Sequence, residues 1–129
     1  MPKSKGKIVI NPGINVWPHE LKTAEALLDA GKTVEFVKKS EVDFQSSADV
    51  LMDGVIWEMK SPKGDGIKAV ERNVKRARNQ SPNVIIDSKR LKNARDNQVE
   101  AYLRKCPSEI KGIRRIIFVN KKREIIDIL

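Results

Sequence analysis

Asp49, Glu58 and Lys60 are the residues whose types and spacing suit chemistry. Asp53-Gly54 separates two β-like runs, Ala48–Met52 and Val55–Met59. It is a dipeptide that two-residue hairpin loops favour, because both central residues take positive φ. Such a loop sets Met52 opposite Val55, Leu51 opposite Ile56, Val50 opposite Trp57 and Asp49 opposite Glu58, and directly opposed residues share a face. Lys60, two residues beyond Glu58, joins them by the period of two, while Trp57 and Met59 point the other way. Two carboxylates this close repel, and each favours its protonated form unless a cation sits between them. Lys60 is one such cation, and a divalent ion would be a stronger one. Carboxylate oxygens without Cys or several His select hard cations, so Mg²⁺ or Mn²⁺ is favoured, with Zn²⁺ the remaining alternative. On a scissile phosphate such an ion acts as Lewis acid and water activator, and a nearby lysine orients the hydroxide or stabilises developing negative charge. The plainer alternative is a solvated pair of hairpin charges worth about 0.2–1 kcal/mol, and spacing alone leaves both open.

Charge supplies the approach to such a site. The 129 residues carry 26 Lys+Arg against 17 Asp+Glu, a net +9. Residues 1–60 hold 8 basic and 9 acidic side chains, residues 61–95 hold 10 and 3, and residues 96–129 hold 8 and 5. An excess of this kind suits an anionic polymer, with nucleic acid the leading partner, although lysine-rich surfaces also serve solubility. One Cys excludes an internal disulfide and a structural zinc site, which leaves apolar burial to hold the fold in a reducing compartment. No membrane segment is expected, since no run of about 18 apolar residues occurs, and the N-terminus lacks the apolar core of a secretory signal.

The elements that must position these residues follow from periodicity. Lys7–Ile10 is a short edge strand ended by Asn11-Pro12-Gly13. Leu21, Ala24, Leu27 and Leu28 lie at helical spacing over Pro18–Ala30, with Pro18 suited to a first helical position and Gly31 to the residue after the last turn. Lys32–Val37 alternates as a half-covered strand. Ser61–Gly66 carries too many breakers for any regular element. Ile67, Val70, Val74 and Ala77 then mark the buried face of a helix over 67–80, whose other positions include Lys68, Arg72, Lys75 and Arg76. Asn83–Asp87 is a buried-type strand, Asn93–Lys105 a helix, and Gly112–Asn120 with Arg123–Ile128 a closing hairpin turned at Lys121-Lys122. The order α-β-β-β-α-β followed by α-β-β implies an α/β fold with one mixed sheet flanked by helices, and the length suits a single domain over 1–129.

Asp49, then Glu58-Met59-Lys60 across a tight hairpin, after a helix containing Glu20 and before a basic helix, resembles the PD-(D/E)XK nuclease superfamily, which has a restriction-endonuclease-like α-β-β-β-α-β core. The resemblance spans about residues 15–90, leaving about 91–129 as a C-terminal extension. Pro18-His19-Glu20, Thr23-Ala24, Val34-Glu35-Phe36, Asp53-Gly54, Trp57-Glu58-Met59-Lys60-Ser61-Pro62 and Gln80-Ser81 through Asp87 look like the C-terminal nuclease domains of bacterial contact-dependent growth inhibition toxins, which include tRNA-cleaving members. Carried over by position, this implies that Asp49, Glu58 and Glu20 bind the metal and that Lys60 is the catalytic lysine. Glu25 is the competing helix carboxylate, about 140° around the helix from Glu20. Ala48 stands where the superfamily commonly has proline. The resemblance further implies RNA, tRNA above all, as substrate with DNA as the alternative, an immunity or inhibitor protein as partner, and action in a bacterial cytoplasm after delivery as part of a secreted toxin. A DNA endonuclease of a mobile element and a non-catalytic nucleic-acid-binding module are the competing readings.

On the basic helix Asn73, Arg76 and Gln80 form a stripe bordering the apolar face, with Gln80 the first choice for a substrate contact. Lys63, Lys68, Arg72 and Lys75 read as phosphate contacts that position substrate without reading its sequence. His19 suits either acid–base chemistry or a structural place beside the helix start. Cys106, before Pro107 at a helix end, reads as a packed or partly exposed thiol, Trp17 as a staple across the helix start, and Trp57 as core.

Overall fold

The computed structural model describes residues 6–37 and 49–129, without the side chains of Asp49 and Asp65. Ala48, the expected start of the hairpin, lies outside the described residues. Among the described residues the fold is mixed α/β, with three helices and both parallel and antiparallel strand pairing. It forms two compact units, Met1–Trp57 and Glu58–Leu129.

The first unit contains β1 (Ile8–Ile10), α1 (Pro18–Asp29), β2 (Val34–Val37), β3 (Asp49–Met52) and the start of β4 (Val55–Lys60). β1 pairs parallel to β2, β2 antiparallel to β3, and β3 antiparallel to β4. The hairpin register is the expected one, with Met52 on Val55, Leu51 on Ile56 and Val50 on Trp57. Asp53 (φ 55) and Gly54 (φ 77) both take the positive φ that a tight hairpin of this kind requires. The row Phe36, Val50, Trp57 is buried across three strands, and the Trp57 indole donates to the Met52 carbonyl at 3.0 Å. Trp57 is core, as its pattern implied. In α1 the buried side is made by Glu20, Thr23, Ala24, Ala26 and Leu27, whereas Leu21 is exposed. Trp17 is 50% exposed, which corrects its reading as a staple.

The second unit continues from the end of β4 with β5 (Gly64–Asp65), α2 (Gly66–Gln80), β6 (Asn83–Asp87), β7 (Leu91–Lys92), α3 (Asp96–Glu109), β8 (Arg115–Val119) and β9 (Ile125–Asp127). β4, β6 and β8 run parallel in that order, and β9 closes antiparallel on β8. The parallel steps need crossovers, which α2 and α3 supply. Val84 and Ile86 of β6, Ile116 and Phe118 of β8, Val70, Val74 and Ala77 of α2, and Val99, Leu103 and Cys106 of α3 form one buried cluster.

Further expectations need correction, beginning with the single mixed sheet, since β5 and β7 form a separate two-stranded sheet. The breaker-rich Ser61–Gly66 contains β5, which pairs parallel to β7 through Gly64–Leu91 and Asp65–Lys92. Its order comes from a partner distant in sequence, to which a local reading is blind. α3 begins at Asp96 rather than Asn93, because Asn93 takes φ 60 and Arg95 is extended as the cap. It also runs through Pro107 to Glu109. Proline offers no N–H to the carbonyl four residues back, but here the Cys106 thiol donates to that Leu103 carbonyl at 3.3 Å.

The end of β6 is fixed by a buried ion pair. Arg123 Nη1 and Nη2 donate to Asp87 Oδ1 and Oδ2 at 2.8 and 2.9 Å, and Asp87 is nearly inaccessible. Arg123 itself holds φ 65, a left-handed conformation that costs free energy in a non-glycine residue. Removing one partner strands a buried charge, so Arg123→Ala is expected to lower unfolding stability by about 3 kcal/mol, with Arg123→Lys restoring only part because lysine lacks the fork. Urea denaturation measures this, and a loss below about 1 kcal/mol for Arg123→Ala contradicts it.

Candidate functional site

Glu58 and Lys60 come together as the strand period requires. Their backbone partners on β6 are Val84 and Ile86, and parallel partners point to the same side. Both therefore project to the face that carries the α2–α3 core. Glu58 is 2% exposed, and Lys60 Nζ lies 3.7 Å from its Oε2. That distance is an ion pair beyond hydrogen-bond range. A carboxylate this buried is not one of an ordinary solvated pair of surface charges. Taking it from water costs several kcal/mol unless cations and hydrogen bonds compensate, and Lys60 is placed to do so.

The other proposed carboxylates lie in the first unit. Glu20 is the third residue of α1 and nearly buried, and its Oε1 accepts the Trp17 backbone N–H at 2.9 Å. That bond satisfies one of the amides a helix start leaves unpaired, so Glu20 has a structural task whatever else it does. Glu25 is exposed, so Glu20 is the carboxylate on the buried side of α1. Asp49 opens β3 with its backbone opposite Val37, and its side chain lies outside the described residues. Among the described residues no three His, Cys, Asp or Glu side chains gather as a metal site.

α2 presents the expected division. Ala69, Val70, Val74 and Ala77 are buried, while Lys68, Arg72, Lys75, Arg76 and Gln80 are exposed, as is Lys63 before the helix. Lys75 pairs with Glu71 at 3.5 Å, one turn apart and open to solvent, a contact worth a few tenths of a kcal/mol. The Asn73 amide donates back to the Ala69 carbonyl at 2.7 Å, a bond that uses one of the two N–H donors this group carries. His19 lies in the first turn of α1, partly buried, and its carbonyl accepts the Thr23 hydroxyl at 3.1 Å.

Cys106 is fully buried, which removes the partly exposed alternative. Burial, then the nearby Glu109 carboxylate, pushes its thiol up to about 11. Burial first, then the charges of Cys106, Glu71 and Glu109, pushes the Tyr102 hydroxyl up to about 12. These are structural groups rather than nucleophiles at neutral pH. What sequence reasoning missed is the Asp87–Arg123 fork and Asp96, whose two oxygens accept the Ser88 hydroxyl at 2.7 Å and the Lys121 N–H at 2.9 Å. No local signal pointed to them, since the partners lie 36 and 25 residues away in the chain.

The comparisons with known proteins place this mixed α/β domain in a family. Residues 46–125 match the contact-dependent growth inhibition CdiA C-terminal domain, more than half of the chain and all of β3 through α3 and β8. The chain belongs to that family. In structure it is similar to a chain of the CdiA-CT/CdiI toxin and immunity complex from Burkholderia pseudomallei, with a TM-score of 0.70 and 16% identity over 95% of this chain and 98% of that one. No curated protein matches the sequence. No helix among the described residues is long and apolar enough to cross a membrane.

The raised thiol and phenol bind their protons more tightly folded than unfolded. The stability they confer is complete below about pH 9 and declines as pH rises through about 11 and 12. Denaturation midpoints measured from pH 8 to 11 should fall, and Cys106 should resist alkylation at pH 8 until the protein unfolds. Stoichiometric alkylation of the native protein contradicts the burial.

Proposed function

We propose that this toxin domain is a metal-dependent nuclease of the PD-(D/E)XK type that hydrolyses phosphodiester bonds in a structured RNA such as tRNA. The observation that carries the reading is the Glu58–Lys60 pair, a buried carboxylate with an ammonium 3.7 Å away at the end of β4. The next helix in the chain, α2, has mostly cationic exposed positions. The family match includes Asp49, Glu58 and Lys60, and so supports reading them together.

In this proposal Asp49, Glu58 and Glu20 hold Mg²⁺ or Mn²⁺, hard cations suited to a carboxylate donor set. When bound, the ion supplies Lewis-acid polarisation of the phosphate and a bound water of lowered pKa. Lys60 directs its ammonium at the phosphate oxygens where negative charge grows, and the low-dielectric wall that buries Glu58 strengthens that interaction. Lys63, Lys68, Arg72 and Lys75 hold the substrate backbone through its phosphates, and Arg76, Gln80 and Asn73 border that surface. The likeness to a chain of a toxin and immunity complex supports a second element of the proposal, that an immunity protein binds this chain and blocks its action in the cytoplasm of a bacterial cell.

The test is incubation with total tRNA, supercoiled plasmid and single-stranded DNA, each with Mg²⁺, Mn²⁺, Zn²⁺ or chelator. Cleavage of tRNA with Mg²⁺ or Mn²⁺ is expected, reduced at least a hundredfold in Asp49→Ala, Glu58→Ala and Lys60→Ala variants whose circular dichroism is unchanged. Full activity in excess chelator, or in Glu58→Ala, overturns the reading.

A further inference from the structure

The carboxyl ends of β4, β6 and β8 lie side by side in the second unit, since Lys60 partners Ile86 and Asp87 partners Val119. Three connections leave from that end. The one after β4 carries Lys63, the one after β6 carries Lys89, Arg90, Lys92 and Arg95, and the one after β8 carries Lys121 and Lys122. In parallel sheets this is the end at which ligands are bound.

These connections are built structures. Pairing of β5 with β7 ties the first connection to the second. The Lys121 N–H bonded to Asp96, and Lys121 Nζ donating to the Ala94 carbonyl at 2.6 Å, tie the third to the second. Asp87 accepts the Lys89 N–H at 2.9 Å while gripped by Arg123. Asn93 and Arg123, two of the three non-glycine residues with positive φ among the described residues, lie in these same loops. Of the acids in these connections, Asp87 and Asp96 are engaged by neighbouring donors and Glu124 accepts the Asn120 amide at 2.9 Å, with Asp65 in β5 the fourth, whereas Lys89, Lys92, Arg95 and Lys122 are exposed.

We infer that this rim is a second phosphate-binding surface, which holds the backbone of a nucleic acid strand beside Lys60. The inference rests on the reading of nucleic acid as substrate, and it adds residues outside the basic helix. A protein partner fits the rim less well. Protein interfaces are anchored by buried apolar and aromatic side chains, and the exposed large apolar residues are Val9, Ile10, Trp17, Leu21 and Ile56 in the first unit and Leu129 at the chain end. The rim connections contribute none among the described residues.

The experiment is fluorescence anisotropy of a labelled oligouridylate and an RNA hairpin, in chelator, over a range of salt concentrations. Removing one phosphate-binding cation lowers the slope of log affinity against log salt by about 0.7 for a single strand and about 0.9 for a duplex. Lys89→Gln/Lys92→Gln/Lys122→Gln, folded by circular dichroism and thermal melting, is expected to lower the slope by about 2–3 and to weaken binding roughly tenfold or more at low salt. Lys105→Gln/Lys111→Gln, away from the rim, is expected to leave both near the wild-type values. A slope unchanged in the triple variant overturns the inference, as does an equal fall in the control. Because chelator removes the need for cleavage, a protein that cuts nothing yet binds through the rim contradicts the nuclease reading alone. One that cuts RNA with an unaltered slope contradicts the rim alone.

Discussion

Burying Glu58 on a sheet face that it shares with Val84 and Ile86 of β6 sets a demand that its surroundings must meet. An ionised carboxyl there needs a positive neighbour, and the strand period places Lys60 where its ammonium reaches it. The same register makes β4 the first of three parallel strands. Parallel order then calls for α2 and α3 as crossovers, and their apolar faces complete the core against which the pair is held. A substitution that frees Glu58 from this arrangement disturbs charge and packing together.

Charge follows the division into units. Residues 1–57 carry 7 basic and 8 acidic side chains and no arginine, whereas residues 58–129 carry 19 and 9, with every arginine of the chain. Arginine's rigid fork suits phosphate recognition, but only part of the set is available for it. Arg123 is bound to Asp87, Arg104 to Glu100 at 2.8 Å, and Arg78 to the Lys111 carbonyl at 3.1 Å. The net charge of +9 therefore joins cations that build the second unit to cations that face solvent.

Much of this was legible in the residues. Asp53-Gly54 determined the hairpin register, because few residue pairs accept two successive positive φ values, and the apolar run Asn83–Asp87 is β6 to the residue. The spacing of Glu58 and Lys60 placed them on one face for the same elementary reason. Where the reading fell short, a distant partner decided. The two-residue strands β5 and β7 exist through each other, and the Leu103 carbonyl that Pro107 cannot reach accepts the Cys106 thiol instead. Trp17 looked like a staple from its position alone, yet Glu20 organises the start of α1 through a backbone amide while the indole stays half exposed. The Asp87–Arg123 fork joins residues 36 apart, a distance that no local pattern spans.

The central claim is that Glu58 belongs to a divalent-metal centre, and calorimetric titration of Mn²⁺ tests it most directly. Saturable binding to the wild-type protein is predicted, and it should vanish in Glu58→Gln, which keeps the shape of the side chain and removes its charge. Equal Mn²⁺ affinity in the two proteins, or none in either, would contradict it.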